Sequence, residues 1–294
     1  MTAVAIRDDG KTFLLGVGAQ KAGTAWLHDH ISSSPECAPG LMKEYHVWDG
    51  LDLEMMAHFR ERTGVRAKKA GARVARGEPA AADALRLAGF YADPETYVDY
   101  FELLLSRPGI RVAADVTPSY SMLSAERFAD VRDRFARRGI RVATVFLMRE
   151  PAERIWSAVR MYQQRQPDRH AQTPDERVLE VFDSPWFEER TRYETTMATL
   201  ESVFDRGDIF YALYERLFED STLRDLAAFL GMTPVPADTE RHVNASPKSD
   251  VLTLPDEAAR RIAQHYRATY DAVADRLGRD LVAAAWPGQR WLRT

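Results

Sequence analysis

Phe13-Leu14-Leu15-Gly16-Val17-Gly18-Ala19-Gln20-Lys21-Ala22-Gly23-Thr24-Ala25-Trp26-Leu27 decides the architecture. An apolar run ends in a small-residue loop, and the loop opens a helix. A parallel α/β sheet builds an anion cradle this way. The strand brings the backbone to a tight turn, and Gly18 and Gly23 let it approach a ligand closely. The first N–H groups of the helix then point at the negative charge. Lys21 adds a mobile cation and Thr24 a hydroxyl, so a phosphate or sulfate is expected here.

Two common anion loops fail on these residues. A Walker A loop needs Gly-Lys-Ser/Thr at its end, but Thr24 follows Gly23 directly and the lysine lies two residues earlier. A dinucleotide fingerprint needs a third glycine where Lys21 stands. The string Gln20-Lys21-Ala22-Gly23-Thr24 resembles the 5′-phosphosulfate loop of sulfotransferases that use 3′-phosphoadenosine 5′-phosphosulfate (PAPS). Ala25 stands where that family has a second hydroxyl. The resemblance implies donor contacts from Gln20, Lys21, Ala22, Gly23, Thr24, Ala25 and Trp26.

Arg141 to Tyr162 carries a second motif. Val142–Met148 is a nearly continuous apolar run, as in a strand buried on both faces. Pro151 suits the first turn of a helix. Arg149 therefore sits at the carboxyl end of a strand, where open α/β sheets bind ligands. Ser157 lies about two helical turns beyond Pro151. The pattern resembles the same family's strand-Arg-x-Pro-x-x-Arg-x-x-Ser site, which implies that Arg149 and Ser157 bind the 3′-phosphate.

Lys43-Glu44-Tyr45-His46-Val47-Trp48-Asp49 resembles a segment of the family's heparan-sulfate-type branch and its bacterial relatives. The resemblance implies that Glu44 is the base, with His46 as the other choice because its ordinary pKa lies near neutral. Lys21 would stabilise the leaving phosphate, and Lys43 would hold the sulfonate or orient Glu44. Ala113-Ala114-Asp115-Val116-Thr117-Pro118-Ser119-Tyr120 resembles the stretch that lines the acceptor side, through Asp115, Thr117 and Tyr120. Val243-Asn244-Ala245-Ser246-Pro247-Lys248 resembles the loop that closes over the nucleotide, with Lys248 as a third ligand of the 3′-phosphate. The chain has only six lysines, and Lys21, Lys43 and Lys248 all fall in these motifs.

Bulk properties narrow the classes. At 294 residues and 45% hydrophobic content, one domain spanning 1–294 is expected. A net charge of −4 argues against a general nucleic-acid binder. No apolar run approaches the roughly 20 residues of a membrane span. The start, Met1 to Asp9, lacks the order of a signal peptide, and the single Cys37 allows no internal disulfide. Cytoplasm is the expected compartment. No Cys/His cluster has zinc spacing, and the chemistry requires no metal.

The coarse order alternates. Strands are expected at Phe13–Val17, Ile110–Ala114, Val142–Met148 and Ile209–Leu213. Helices are expected at Thr24–Ser33, Pro94–Ser106, Ala125–Arg137, from Pro151, and at Tyr193–Phe204. Two more are expected, one capped by Ser221 and running to Leu230, the other at Asp256–Leu277. This implies a parallel sheet covered by helices on both faces. Arg60, Arg62, Arg66, Lys68, Lys69, Arg73 and Arg76 stand against the single acid Glu61. With Gly64, Gly71 and Gly77, they suggest a mobile basic insertion at about 58–92. Its sharper reading is an acceptor lid that recruits something anionic: an acidic sugar, a phosphopantetheine-bearing carrier protein or a phosphorylated intermediate.

The expected activity is transfer of the PAPS sulfuryl group to a hydroxyl or amine of a sugar or small molecule, releasing 3′,5′-phosphoadenosine (PAP). The alternatives are a P-loop kinase or NTPase, which shares the sheet and cradle, and a catalytically silent nucleotide-binding protein. Oligomeric state stays open.

Overall fold

A computed structural model describes residues 10–165, 172–237 and 253–292. Five strands form one parallel sheet: β1 (Thr12–Gly18), β2 (Cys37–Ala38), β3 (Val112–Val116), β4 (Arg141–Met148) and β5 (Ile209–Leu213), in the order β2-β3-β1-β4-β5. The whole of β1 is buried, which explains why its sequence is a continuous apolar run rather than an alternating one. After β1 the chain builds β2 and β3 on one side and then β4 and β5 on the other. The crevice at the carboxyl end of β1 is therefore the point where winding reverses, the standard ligand position of such sheets.

Helices cover both faces. In chain order these are α1 (Thr24–Ser32), α2 (Val47–Asp52), α3 (Ala57–Ala75), α4 (Ala82–Ala92), α5 (Pro94–Leu105), α6 (Ala125–Ala136) and α7 (Pro151–Arg165). They continue with α8 (Pro174–Val181), α9 (Pro185–Glu188), α10 (Tyr193–Val203), α11 (Asp220–Leu230), α12 (Asp256–His265), α13 (Arg267–Leu277) and α14 (Arg279–Ala285). Aromatic packing anchors β1. Phe13 stacks on Phe135 of α6 at 4.1 Å and meets Phe101 of α5 at 4.7 Å. Each such fully buried ring contributes on the order of 2–3 kcal/mol through burial alone.

The expected α/β architecture is present, with local differences. β3 begins two residues later than the apolar pattern suggested. The two-residue β2 is too short to leave a pattern. The expected helix Asp256–Leu277 is two helices, broken at Tyr266, whose buried hydroxyl donates to the Phe182 carbonyl at 2.5 Å. Helix α11 starts at Asp220 after Glu219, so Ser221 lies inside the helix and is not its cap, whereas Gly231 does end it at φ 69°. The segment at about 58–92, read as an insertion, lies in α3 and α4 and the turn between them. Thr63 and Ala70 of α3 are buried, as are Ala84, Leu87 and Phe90 of α4, which packs against it. Among the described residues no helix is long and apolar enough to cross a membrane.

Candidate functional site

The cradle is built by close approach. A Cβ on Gly16 would lie 2.8 Å from Val116 Cγ1, and one on Gly18 (φ 135°) would lie 2.8 Å from the Pro118 carbonyl oxygen. Lys21 holds φ 71°, a left-handed conformation rare outside glycine, and Gly23 follows at φ 85°. A non-glycine residue keeps such a conformation only where the surrounding structure enforces it. Gly23 is the N-cap of α1, no side chain caps it, and the first turn holds no acid. An uncapped helix N-terminus without acids is a setting that favours an anion.

Cations surround that space. Burial lowers the Lys21 ammonium to about 8, helped by the charges of Arg149, Arg165 and Arg160. Arg149 Nη1 donates to the Lys21 carbonyl at 3.3 Å, and its Nη2 lies 3.1 Å from Glu153 Oε2. The Arg149 guanidinium covers the Tyr214 ring at 4.8 Å, and the same ring limits the space at Gly23. Tyr193 donates to the Arg149 carbonyl at 2.9 Å, which fixes the backbone at the end of β4. Ser157 is buried two turns into α7. The two expected phosphate motifs therefore meet at the ends of neighbouring strands. Gln20 accepts from the Tyr162 hydroxyl at 3.1 Å. Ala22 and Thr24 are buried, Ala25 is half-buried, and Trp26 stacks on His30 at 4.8 Å. Lys248 lies outside the described residues.

The segment 43–49, a loop that runs into the first turn of α2, stands at the end of β3, on the other side of β1. Val116 N–H donates to the Lys43 carbonyl at 3.0 Å. Tyr45 N–H donates to Thr117 Oγ1 at 3.1 Å, and Val47 N–H to the Tyr120 hydroxyl at 3.2 Å. Asp115 accepts hydrogen bonds from Tyr97, Thr117 and Tyr120 at 2.8, 2.6 and 2.9 Å. Burial raises its carboxyl to about 6 despite those donors. Asp115, Thr117 and Tyr120, expected on the acceptor side, are fully buried. Their polar atoms are spent on one another and on the backbone of the 43–47 loop, so they shape the site from beneath.

Above them lies a charged relay. The Lys43 ammonium pairs with Glu44, whose side chain is 40% exposed. Glu44 Oε2 lies 3.4 Å from His46 Nε2, and Asp49 Oδ2 lies 2.8 Å from His46 Nδ1. Asp49 is wholly buried and also accepts from Ser119. Burial alone would lower the His46 pKa, but Asp49 and Glu44 outweigh it and raise it to about 9. Burial would raise Glu44, but His46 and Lys43 bring it down to about 2. At neutral pH the imidazole is charged, with both nitrogens engaged, while Glu44 is ionised. His46 holds φ 54°, a second non-glycine residue in the left-handed region.

Phe59, which covers the His46 ring, gave no signal in the sequence. Tyr214 supports Arg149 and Tyr162 reaches Gln20, contacts that only folding makes. Asp49 and Ser119 lay inside the quoted segments, so an acid three residues after a histidine was a usable signal. Among the described residues, no group of three or more His, Cys, Asp or Glu side chains is arranged to hold a metal.

No protein-family model matches the chain, and no curated protein does. Its fold is similar to the crystal structure of a sulfotransferase from Alicyclobacillus acidocaldarius. The TM-score is 0.60 at 18% identity, covering 97% of this chain and 100% of that one. The sulfotransferase domain of the Synechococcus PCC 7002 olefin synthase aligns over 90% of this chain and 98% of its own, with TM-score 0.46 and 14% identity. The sulfotransferase domain of the curacin biosynthetic pathway aligns over 78% and 76%, with TM-score 0.44 and 19% identity.

Proposed function

We propose that the chain is a PAPS-dependent sulfotransferase acting on a hydroxyl or amine of a sugar or small molecule. One juxtaposition carries this reading. A cradle bearing Lys21 and Arg149 lies at the ends of β1 and β4, and an ionised Glu44 beside His46 stands at the end of β3. The first suits a nucleotide with two anionic ends, and the second suits an acceptor that must lose a proton.

The donor supplies a sulfur already bonded to a good leaving group. In line with that bond, the acceptor oxygen or nitrogen attacks sulfur as its proton passes to Glu44. The new bond to sulfur forms as the bond from sulfur to the bridging oxygen breaks, and the bisphosphate departs with the electron pair. Lys21 and the first amides of α1 meet the charge that grows on that oxygen. Glu44 and Asp49 favour the protonated form of His46, so in this reading Glu44 is the base and His46 orients it. Lys43 suppresses the basicity of Glu44 at rest. Its transfer to the incoming sulfonate would free Glu44 to take the proton.

Arg149, Ser157 and Lys248 would hold the 3′-phosphate. The kinase alternative needs a lysine immediately before Thr24, which the chain lacks. Calorimetric titration tests the reading. PAP should bind tightly without metal, and ATP with magnesium weakly. Magnesium-dependent ATP binding with no response to PAP would overturn it.

A further inference from the structure

Two buried arginines beside α9 lack the partners that buried charges require. Arg190 is 3% exposed and Arg154 is 0% exposed. Arg190 Nη1 donates to the Trp186 carbonyl at 2.9 Å and approaches Met55 Sδ at 3.6 Å, while Nη2 approaches Met56 Sδ at 3.5 Å. Arg154 Nη2 reaches the Phe187 carbonyl at 3.5 Å, and its Nε and Nη1 have no hydrogen-bond partner. Among the described residues no carboxylate pairs with either. Each guanidinium instead lies over an aromatic ring, Trp186 at 3.7 Å and Phe187 at 5.7 Å. Thioether sulfur is a weak acceptor, and an unpaired buried ion is strongly unfavourable. The two cations also repel each other. Such an arrangement has room in its electrostatics for one oxyanion.

Its position says what that oxyanion belongs to. Met55 and Met56 follow α2, whose Asp49 holds His46. On the other side, Trp186 Nε1 donates to the Tyr162 hydroxyl at 3.0 Å, and Tyr162 donates to Gln20 of the cradle. Asp49 is close enough for its charge to act on Arg190. Arg190 is thus linked on one side, through Met55 and Met56, to the chain that leaves α2, and on the other, through Trp186 and Tyr162, to Gln20 of the donor loop. Its planar fork matches a carboxylate, sulfate or phosphate group in two-point fashion.

We propose that Arg190, backed by Arg154, binds an anionic group on the acceptor, so that the substrate class is a hydroxyl compound bearing a carboxylate or comparable oxyanion. The proposal rests on the sulfotransferase reading. Displacing the methionine sulfurs gives Arg190 its counter-ion and orients the acceptor hydroxyl toward Glu44.

The test uses the full chain saturated with PAP and two matched probe pairs, 4-hydroxybenzoate with 4-hydroxybenzamide and glucuronate with glucose. PAP binding is measured first in every variant. Its absence from the wild type defeats the sulfotransferase reading itself. With PAP bound, at least one carboxylate probe should bind about tenfold or more tightly than its neutral partner. It should also change tryptophan emission, a change that Trp186→Phe abolishes. Arg190→Gln should erase the preference while PAP affinity stays within about twofold. Arg190→Lys keeps the charge without the fork, guards against loss of fold, and should retain only part of the preference. If no carboxylate probe is preferred, or if the preference survives Arg190→Gln, the proposal is overturned.

Discussion

Phe59 lies flat on the His46 imidazole, with ring centroids 3.5 Å apart and planes within 13°. Phe59 belongs to the first turn of α3, the helix that carries the run of arginine and lysine from 60 to 73 and ends at Arg76. The contact ties a strongly basic surface element to a charged histidine at the candidate centre. A ring face is attractive to a cation, so Phe59 adds to the two carboxylates that keep His46 protonated. Raising a histidine from 6.5 to about 9 means that its stabilising contribution is complete below pH 6.5 and is lost as pH rises through 9. At saturating donor, whose anionic groups favour the charged form of Lys21, turnover should hold across neutrality and fall as pH passes 9, when Glu44 loses its charged partner. His46→Gln should flatten that alkaline limb, and a pH–rate profile of the two proteins decides it.

Glu44→Gln should lower kcat by roughly 10²- to 10⁴-fold, the usual worth of a positioned general base. The PAP dissociation constant should change by no more than about twofold, because Glu44 stands on the β3 side of the site, apart from the phosphate motifs. Turnover of the donor by the wild type and the variant, read beside calorimetry, separates the two effects. A variant with undiminished kcat removes Glu44 from the role.

The Lys21 ammonium is lowered to about 8 by burial and by three neighbouring guanidiniums. Below that pH it is a cation facing the cradle; above it the charge is lost. An anion in the cradle favours the charged form, so binding is linked to proton uptake near pH 8. PAP affinity should therefore weaken as pH rises from 7 to 9. Lys21→Arg, whose guanidinium does not titrate in this range, should bind with little dependence on pH across the same interval. An identical pH dependence in the two proteins would assign it elsewhere.

The legible part of this molecule is the part whose causes are local. Buried parallel strands are apolar along their whole length, so β1, β4 and β5 could be read directly. The cradle could be read because its glycines and Lys21 are contiguous. Helix 256–277 was read through its break because the apolar period continues, while the break comes from Tyr266 reaching Phe182. The partners on the acceptor side were not legible for a related reason. Asp115, Thr117 and Tyr120 carry polar atoms that look available, and only the fold reveals that Tyr97 donates to Asp115 and that backbone amides about 70 positions earlier donate to Thr117 and Tyr120. Phe59 and Arg190 are single residues without a pattern, and their meaning arises wholly from packing.

Helix α3 turns the basic run into a surface. Arg62, Arg66, Lys69, Arg73 and Arg76 fall on one exposed face, with Thr63 and Ala70 turned to the body of the protein. Arg73 and Arg76 are partly neutralised by Glu78. If the face recruits an anionic acceptor, neutralising Arg66, Lys68, Lys69 and Arg73 together should raise the acceptor KM several-fold at low salt. PAP affinity should be unaffected, and the difference should shrink as salt screens the exposed charges. Steady-state kinetics at two ionic strengths measure this. Equal KM values would leave the face a solvated one.

Glu150 next to Arg149 offers a separate reading of the same end of the sheet. It is 2% exposed, accepts from Tyr270 of α13 and from the Glu153 amide at 2.7 Å, and its own N–H donates to Glu215 at 3.0 Å. Trp286 holds the other oxygen of Glu215 at 3.0 Å. Burial raises the Glu150 carboxyl to about 7, with the charges of Glu153 and Glu215 adding to the effect and the two donors opposing it. The sign follows. An unfolded glutamate ionises near 4.5, so folding becomes less favourable as pH rises from there, and the cost is complete above about 7. A shift of that size corresponds to roughly 3 kcal/mol. Glu150→Gln keeps the shape and removes the ionisation. Its stability relative to the wild type should therefore improve by roughly 1–3 kcal/mol between pH 5 and pH 8. Urea unfolding of both proteins at the two pH values measures it, and a difference that does not change with pH would show that Glu150 ionises in the folded chain as an ordinary carboxyl does.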